Sequence, residues 1–96
     1  MRKYEVTYVL IPELEEEQVT EKTKGLKSVI EKNGGEPLDE DFWGKRRLAY
    51  EINDYQEGIY SLLTFNGDSQ VLSELERAIK LDGDFLRYLI VRSEEE

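Results

Sequence analysis

Lys45-Arg46-Arg47 is the one run of three basic residues in the chain. Its chemistry would be phosphate binding: lysine supplies a point charge, and arginine a planar fork that bridges phosphate oxygens or stacks on a base. Arg2 and Lys3 open the first apolar run, and Arg87 and Arg92 lie in the last. These cations join into patches if the two runs are neighbours in a sheet. A solvated strand end would also account for a short basic run. On the acidic side, Asp39-Glu40-Asp41 and Asp82-Gly83-Asp84 offer carboxylates to a divalent cation. Neither has the twelve-residue loop spacing with a closing Glu that a calcium hand needs, so solvated loops are the expectation.

With no Cys and no His, the chain has no thiolate nucleophile, disulfide or zinc–thiolate site, and lacks the commonest general base near neutral pH. Gly34-Gly35 follows a helical stretch instead of opening one, so it is not a phosphate loop. The basic-Gly-aromatic-Gly core of an RNA-recognition domain is also missing. No enzymatic activity, metal, cofactor or small-molecule substrate is therefore expected.

The 96 residues carry 13 Lys and Arg against 22 Asp and Glu, a net charge of −9. That field opposes nonspecific nucleic-acid binding by the whole surface but leaves room for a small specific RNA site. The length suits one domain, expected over residues 1–92, with a short acidic tail at 93–96. No apolar run approaches the about 18 residues of a membrane span. Met1-Arg2-Lys3-Tyr4-Glu5 has no apolar segment of a secretory signal, so a cytoplasmic protein is expected.

The positioning elements follow from hydrophobic spacing. Tyr4, Val6, Tyr8 and Leu10 alternate as a first strand ended by Pro12. Val19, Leu26, Val29 and Ile30 then fall at helical spacing over about residues 15–32, with acidic residues at the start and lysines toward the end. Asn33-Gly34-Gly35 stops that helix. A second strand within residues 36–52 and a third over 59–65 form a hairpin through a polar loop at 53–58. Asp68 or Ser69 caps a second helix reaching about Leu81, and residues 85–91 make a fourth strand.

This β-α-β-β-α-β order predicts an α+β, ferredoxin-like fold: a four-stranded antiparallel sheet with two helices on one face. Alternation assigns Val6, Tyr8, Leu48, Tyr50, Leu63, Phe65, Leu89 and Val91 to the helix-covered face. The other face receives Lys3, Glu5, Thr7, Val9, Arg47, Ala49, Tyr60, Leu62, Tyr88 and Ile90. Such a mixture of apolar and basic side chains on a bare face suggests a partner surface, with Tyr60, Leu62, Tyr88 and Ile90 as its apolar part. A slip of one residue in register would exchange the faces.

Gly44-Lys45-Arg46-Arg47-Leu48-Ala49-Tyr50, followed by Gln56-Glu57-Gly58-Ile59-Tyr60, closely resembles the family of protein six of the bacterial small ribosomal subunit. The opening Arg2-Lys3-Tyr4-Glu5 and the closing Asp84-Phe85-Leu86-Arg87-Tyr88-Leu89-Ile90-Val91 are similar to it too, so the likeness runs from residue 2 to about residue 92. The resemblance implies a ferredoxin-like fold and a structural role in the ribosome. It implies binding to the central domain of 16S ribosomal RNA together with small-subunit protein eighteen. The family motifs fall on Arg2, Tyr4, Lys45, Arg46, Arg47 and Arg87, and the RNA-facing set is expected to comprise Arg2, Lys3, Lys45, Arg46, Arg47, Arg87 and Arg92. The long tails of some members are missing here.

Two rivals use the same fold. An acyl-phosphate hydrolase would want an anion-binding Arg between the first strand and helix, where this chain has Ile11-Pro12-Glu13-Leu14-Glu15-Glu16-Glu17. A ligand-sensing or dimerising regulatory domain is the alternative reading, although no residue pattern specifies its ligand.

Overall fold

The computed structural model describes residues 1–93, so the three glutamates at 94–96 of the expected acidic tail lie outside the described residues. Its elements are β1 (Arg2–Leu10), α1 (Glu16–Lys32), β2 (Glu36–Ile52), β3 (Tyr55–Gly67), α2 (Ser69–Leu81) and β4 (Phe85–Arg92). The strands form one antiparallel sheet in the order β2-β3-β1-β4. Both helices pack on one face, which confirms the ferredoxin-like expectation. No helix among the described residues is long and apolar enough to cross a membrane.

Local chemistry sets the element ends. The Glu15 backbone N–H donates to Gln18 Oε1 at 2.8 Å at the start of α1. Gly34, at φ +89°, takes the left-handed conformation that lets the Gly35 N–H return to the Ile30 carbonyl at 2.8 Å. Asp68 caps α2, its Oδ1 accepting from the N–H groups of Gln70 and Val71 at 3.1 and 3.2 Å. The β2–β3 loop is shorter than expected. Asn53 and Asp54, at φ +48° and +70°, make a two-residue hairpin turn, and residues 55–58 belong to β3.

The core lies between sheet and helices. Val6, Tyr8, Leu10, Leu63 and Phe65 of the sheet meet Leu26 and Ile30 of α1 and Val71, Leu75 and Ile79 of α2. The Tyr8 and Thr23 hydroxyls in this core satisfy each other, with Tyr8 Oη 2.7 Å from Thr23 Oγ1.

Several face assignments are overturned by two β-bulges. Phe42 pairs with Ser61 and Gly44 with Tyr60, so Trp43 is an extra residue in β2. Past it, the parity reverses: Arg46, Leu48 and Tyr50 turn to the bare face, and Lys45 and Arg47 to the helix side. In β4, Phe85 pairs with Leu10 and Arg87 with Val9, leaving Leu86 as the extra residue. Phe85 touches the Tyr8 ring in the core. Beyond the bulge, Tyr88 pairs with Tyr8 and Ile90 with Val6, so both pack against the core and not on the bare face. Leu89 and Val91 take their place outside, paired with Thr7 and Glu5. Tyr60 and Leu62 are on the bare face as expected, opposite Val9 and Thr7.

Candidate nucleic-acid and partner interface

No helix among the described residues packs on the face away from α1 and α2, although the end of the β2–β3 hairpin folds over part of it and buries Val9 and Leu48. Its centre is apolar: Leu62 is half-buried, and Leu89 and Val91 are 60% and 43% exposed. Toward the hairpin end the face becomes aromatic and cationic. Trp43 lies over Tyr60, with ring centroids 6.5 Å apart and an interplanar angle of 15°. The indole is held at its edge by Nε1 donating to Asp41 Oδ2 at 2.9 Å. Arg46 folds back on the bulge, Nε and Nη2 donating to the Trp43 carbonyl at 3.2 and 3.1 Å. Gly44, at φ +86°, supplies the backbone turn that lets the bulge present Trp43 outward.

The far arm of the hairpin reaches across the same face. Leu48 is buried there near Gly58 and Val9. Tyr50 meets Arg87 of the opposite edge strand, with the guanidinium carbon 5.9 Å from the ring centroid and Nη1 3.4 Å from the hydroxyl. Sequence reasoning placed Tyr50 in the core and passed over Trp43. The available signal for Trp43 was its position beside Gly44, immediately before the basic run.

The sequence-predicted cations fall into two groups. Arg2 and Lys3 open β1 where Arg92 closes β4, since Tyr4 pairs with Arg92 and the Ser93 N–H donates to the Lys3 carbonyl at 2.8 Å. Lys45, Arg46 and Arg47 flank the hairpin end, with Arg87 near the same end opposite Val9. Along β1 the groups are separated by the six residues from Lys3 to Val9, a span of roughly 20 Å at strand rise. Only Lys3, Arg46 and Arg87 have bare-face parity; Arg2, Lys45, Arg47 and Arg92 have helix-side parity at the sheet's ends.

The acidic clusters have structural partners. Lys22 of α1 bridges Asp82 and Asp84 at 2.7 and 2.9 Å, clasping the helix to the α2–β4 turn. Hydrogen bonding to Asp82 and then Asp84 raises the Lys22 pKa above its ordinary value. Burial pushes Asp82 up, but the Lys22 hydrogen bond and the Asp84 backbone N–H outweigh it and hold the carboxyl below the usual range. Glu40 pairs with Lys27 of α1. No group of three or more potential metal-ligating side chains occurs among the described residues.

A bare, cation-flanked sheet face on a two-helix backing defines a ferredoxin-like α+β protein built to present a surface. Residues 3–92 match the family described as ribosomal protein S6. Small ribosomal subunit protein bS6 of Natranaerobius thermophilus is 65% identical over 99% of this chain and 99% of its own length. The Syntrophomonas wolfei protein of the same name is 51% identical, again over 99% of each chain. The crystal structure of 30S ribosomal protein S6 from Thermotoga maritima superposes with a TM-score of 0.89 at 30% identity, covering 96% of this chain and 87% of that one. The chain belongs to the ribosomal protein S6 family. It is a structural component of the small ribosomal subunit and not an enzyme, and its place is with the ribosome in the cytoplasm.

Proposed function

We propose that the chain binds the central domain of 16S ribosomal RNA as one half of a pair with small-subunit protein eighteen, using the bare sheet face and its cationic ends. The observation that carries this reading is the exposure of Leu89, Val91 and Trp43 on a face bordered by Arg46 and Arg87. The apolar centre, with Tyr60 and Leu62, suits a protein partner that removes it from water. The cations at either end suit phosphates: Lys45, Arg46, Arg47 and Arg87 at the hairpin end, and Arg2, Lys3 and Arg92 at the other. A net charge of −9 favours a basic partner, which supplies much of the phosphate neutralisation this chain lacks.

The test is binding of a 16S central-domain fragment to the chain alone and to its mixture with protein eighteen, over a salt series. Affinity should be low alone and rise with the partner. Replacing Lys45, Arg46 and Arg47 together by Ala should weaken RNA binding and flatten its salt dependence while leaving the fold intact. Affinity indifferent both to the partner and to the triple substitution would refute the reading.

A further inference from the structure

We infer that Trp43 is a stacking platform for one unpaired RNA base, with Arg46 placed to meet the adjoining phosphate. This rests on the RNA-binding reading and names the ligand chemistry of one point on that surface. A tryptophan needed only for stability would be covered, yet Trp43 is 42% exposed. It is nonetheless oriented. Tyr60 supports it in near-parallel geometry, Asp41 fixes its N–H edge, and the bulge at Gly44 turns it away from the helix side. A planar apolar ring supported beneath and fixed at its edge is pre-organised for another planar ring.

Charge decides between a base and an apolar side chain as the occupant. Arg46 is tethered to the Trp43 carbonyl, so its guanidinium is held at the bulge that carries the indole, and Lys45 and Arg47 flank it in the chain. The Asp41 carboxylate on the indole N–H repels phosphate from that side and directs the sugar–phosphate chain toward Arg46. Sequence-tolerant base stacking beside an arginine is the common mode by which proteins hold unpaired nucleotides.

Trp43 is the chain's single tryptophan, which gives it a private signal. The full chain carrying 5-fluorotryptophan would be titrated, with ¹⁹F NMR as the readout, against single-stranded oligoadenylate, a fully paired RNA duplex of equal charge, and protein eighteen without RNA. The 16S fragment would then be added to the mixture with the partner. The fluorine resonance should shift with oligoadenylate and with the 16S fragment, and not with the duplex or the partner alone. Trp43→Ala should weaken binding of the fragment by roughly 5- to 100-fold with an unchanged salt slope, because a stacked base and no phosphate contact is lost. Trp43→Phe should recover part of that loss, which separates stacking from damage to the bulge.

Salt-dependent RNA binding with an unmoved resonance would overturn the platform and leave the RNA reading standing. A shift caused by protein eighteen alone would assign Trp43 to the protein interface and overturn it as well. Absence of RNA binding with or without the partner would remove both readings.

Discussion

Gly58→Ala is the substitution that most directly tests how the hairpin arm is seated on the bare face. A methyl group there would lie 2.3 Å from Val9 Cγ1, 3.2 Å from the Leu10 carbonyl oxygen and 3.5 Å from Leu48 Cδ2. Carbon atoms pack at about 3.5–4.0 Å, so the first contact demands a displacement of more than about 1 Å. Val9 cannot easily provide it. Its branched side chain is stiff about χ1, and its strand is paired on both sides, with β3 and with β4. Overpacking of this kind costs about 1–3 kcal/mol. The intrinsic gain of Ala over Gly in a strand returns about 0.5–1 kcal/mol. A net loss of about 1–2 kcal/mol is expected in urea unfolding, within the stability of an ordinary domain. Val9→Ala alone should also destabilise, by lost burial. Together the two should be less damaging than their sum by about 1 kcal/mol or more, since the new methyl enters the space vacated by Val9. A neutral Gly58→Ala, or strictly additive losses, would mean that the Val9–Gly58–Leu48 contact does not hold the arm.

Leu63→Asp should unfold the chain, because Leu63 is fully buried in the core, whereas Leu62→Asp should change isolated stability by less than about 1 kcal/mol and weaken pairing with protein eighteen; thermal melts showing the opposite order would reverse the two faces. The Lys22 clasp should give a pH-dependent term. The depressed Asp82 stabilises above its unfolded value near 3.8 and loses this as pH falls through its lower folded value. The raised Lys22 contributes fully below 10.5 and loses this only as pH rises through its higher folded value. Lys22→Met should therefore cost about 1 kcal/mol at neutral pH, with the difference shrinking in acid; an equal cost at about pH 2 and pH 7 would exclude the ion pairs as its cause. Asp68→Ala should cost about 1 kcal/mol through loss of the α2 cap, and Asp68→Asn much less, as read from urea midpoints.

The element order, both helices and the hairpin's existence were legible because each is written in local patterns: alternation in β1, helical spacing from Val19 to Ile30, and the Asn33-Gly34-Gly35 stop. The faces of β2 and β4 were not. Phe42 points to the helix side and Phe85 into the core, so carrying strict alternation forward from either sends Leu48, Tyr50, Leu89 and Val91 inward. Beside its other register shifts, between Pro37 and Glu40 and between Arg47 and Ile52, β2 instead spends Trp43 on a bulge, and β4 spends Leu86. Hydrophobicity cannot reveal this in β4, where Leu86, Tyr88 and Ile90 are as apolar as Phe85, Leu89 and Val91. In β2 the positive φ required at Gly44 was the one readable clue.

The two bulges have a common consequence. Were Trp43 paired in a regular ladder, the alternation set by Phe42 would turn Arg46 and Tyr50 toward the helices. Were Leu86 paired in a regular ladder, the alternation set by Phe85 would turn Arg87 the same way and bring Leu89 and Val91 in place of Tyr88 and Ile90. The Tyr50–Arg87 contact, the Arg46 tether and the apolar centre of the bare face all depend on these reversals of parity. Re-aiming side chains is a general use of bulges beside functional sites. In this chain the features that defeat a regular reading of the strands are therefore the ones that assemble the candidate interface, and deleting Leu86 should remove the bulge yet leave Arg87 opposite Val9 on the bare face, whereas a ladder that paired Leu86 with Val9 would turn Arg87 toward the helices.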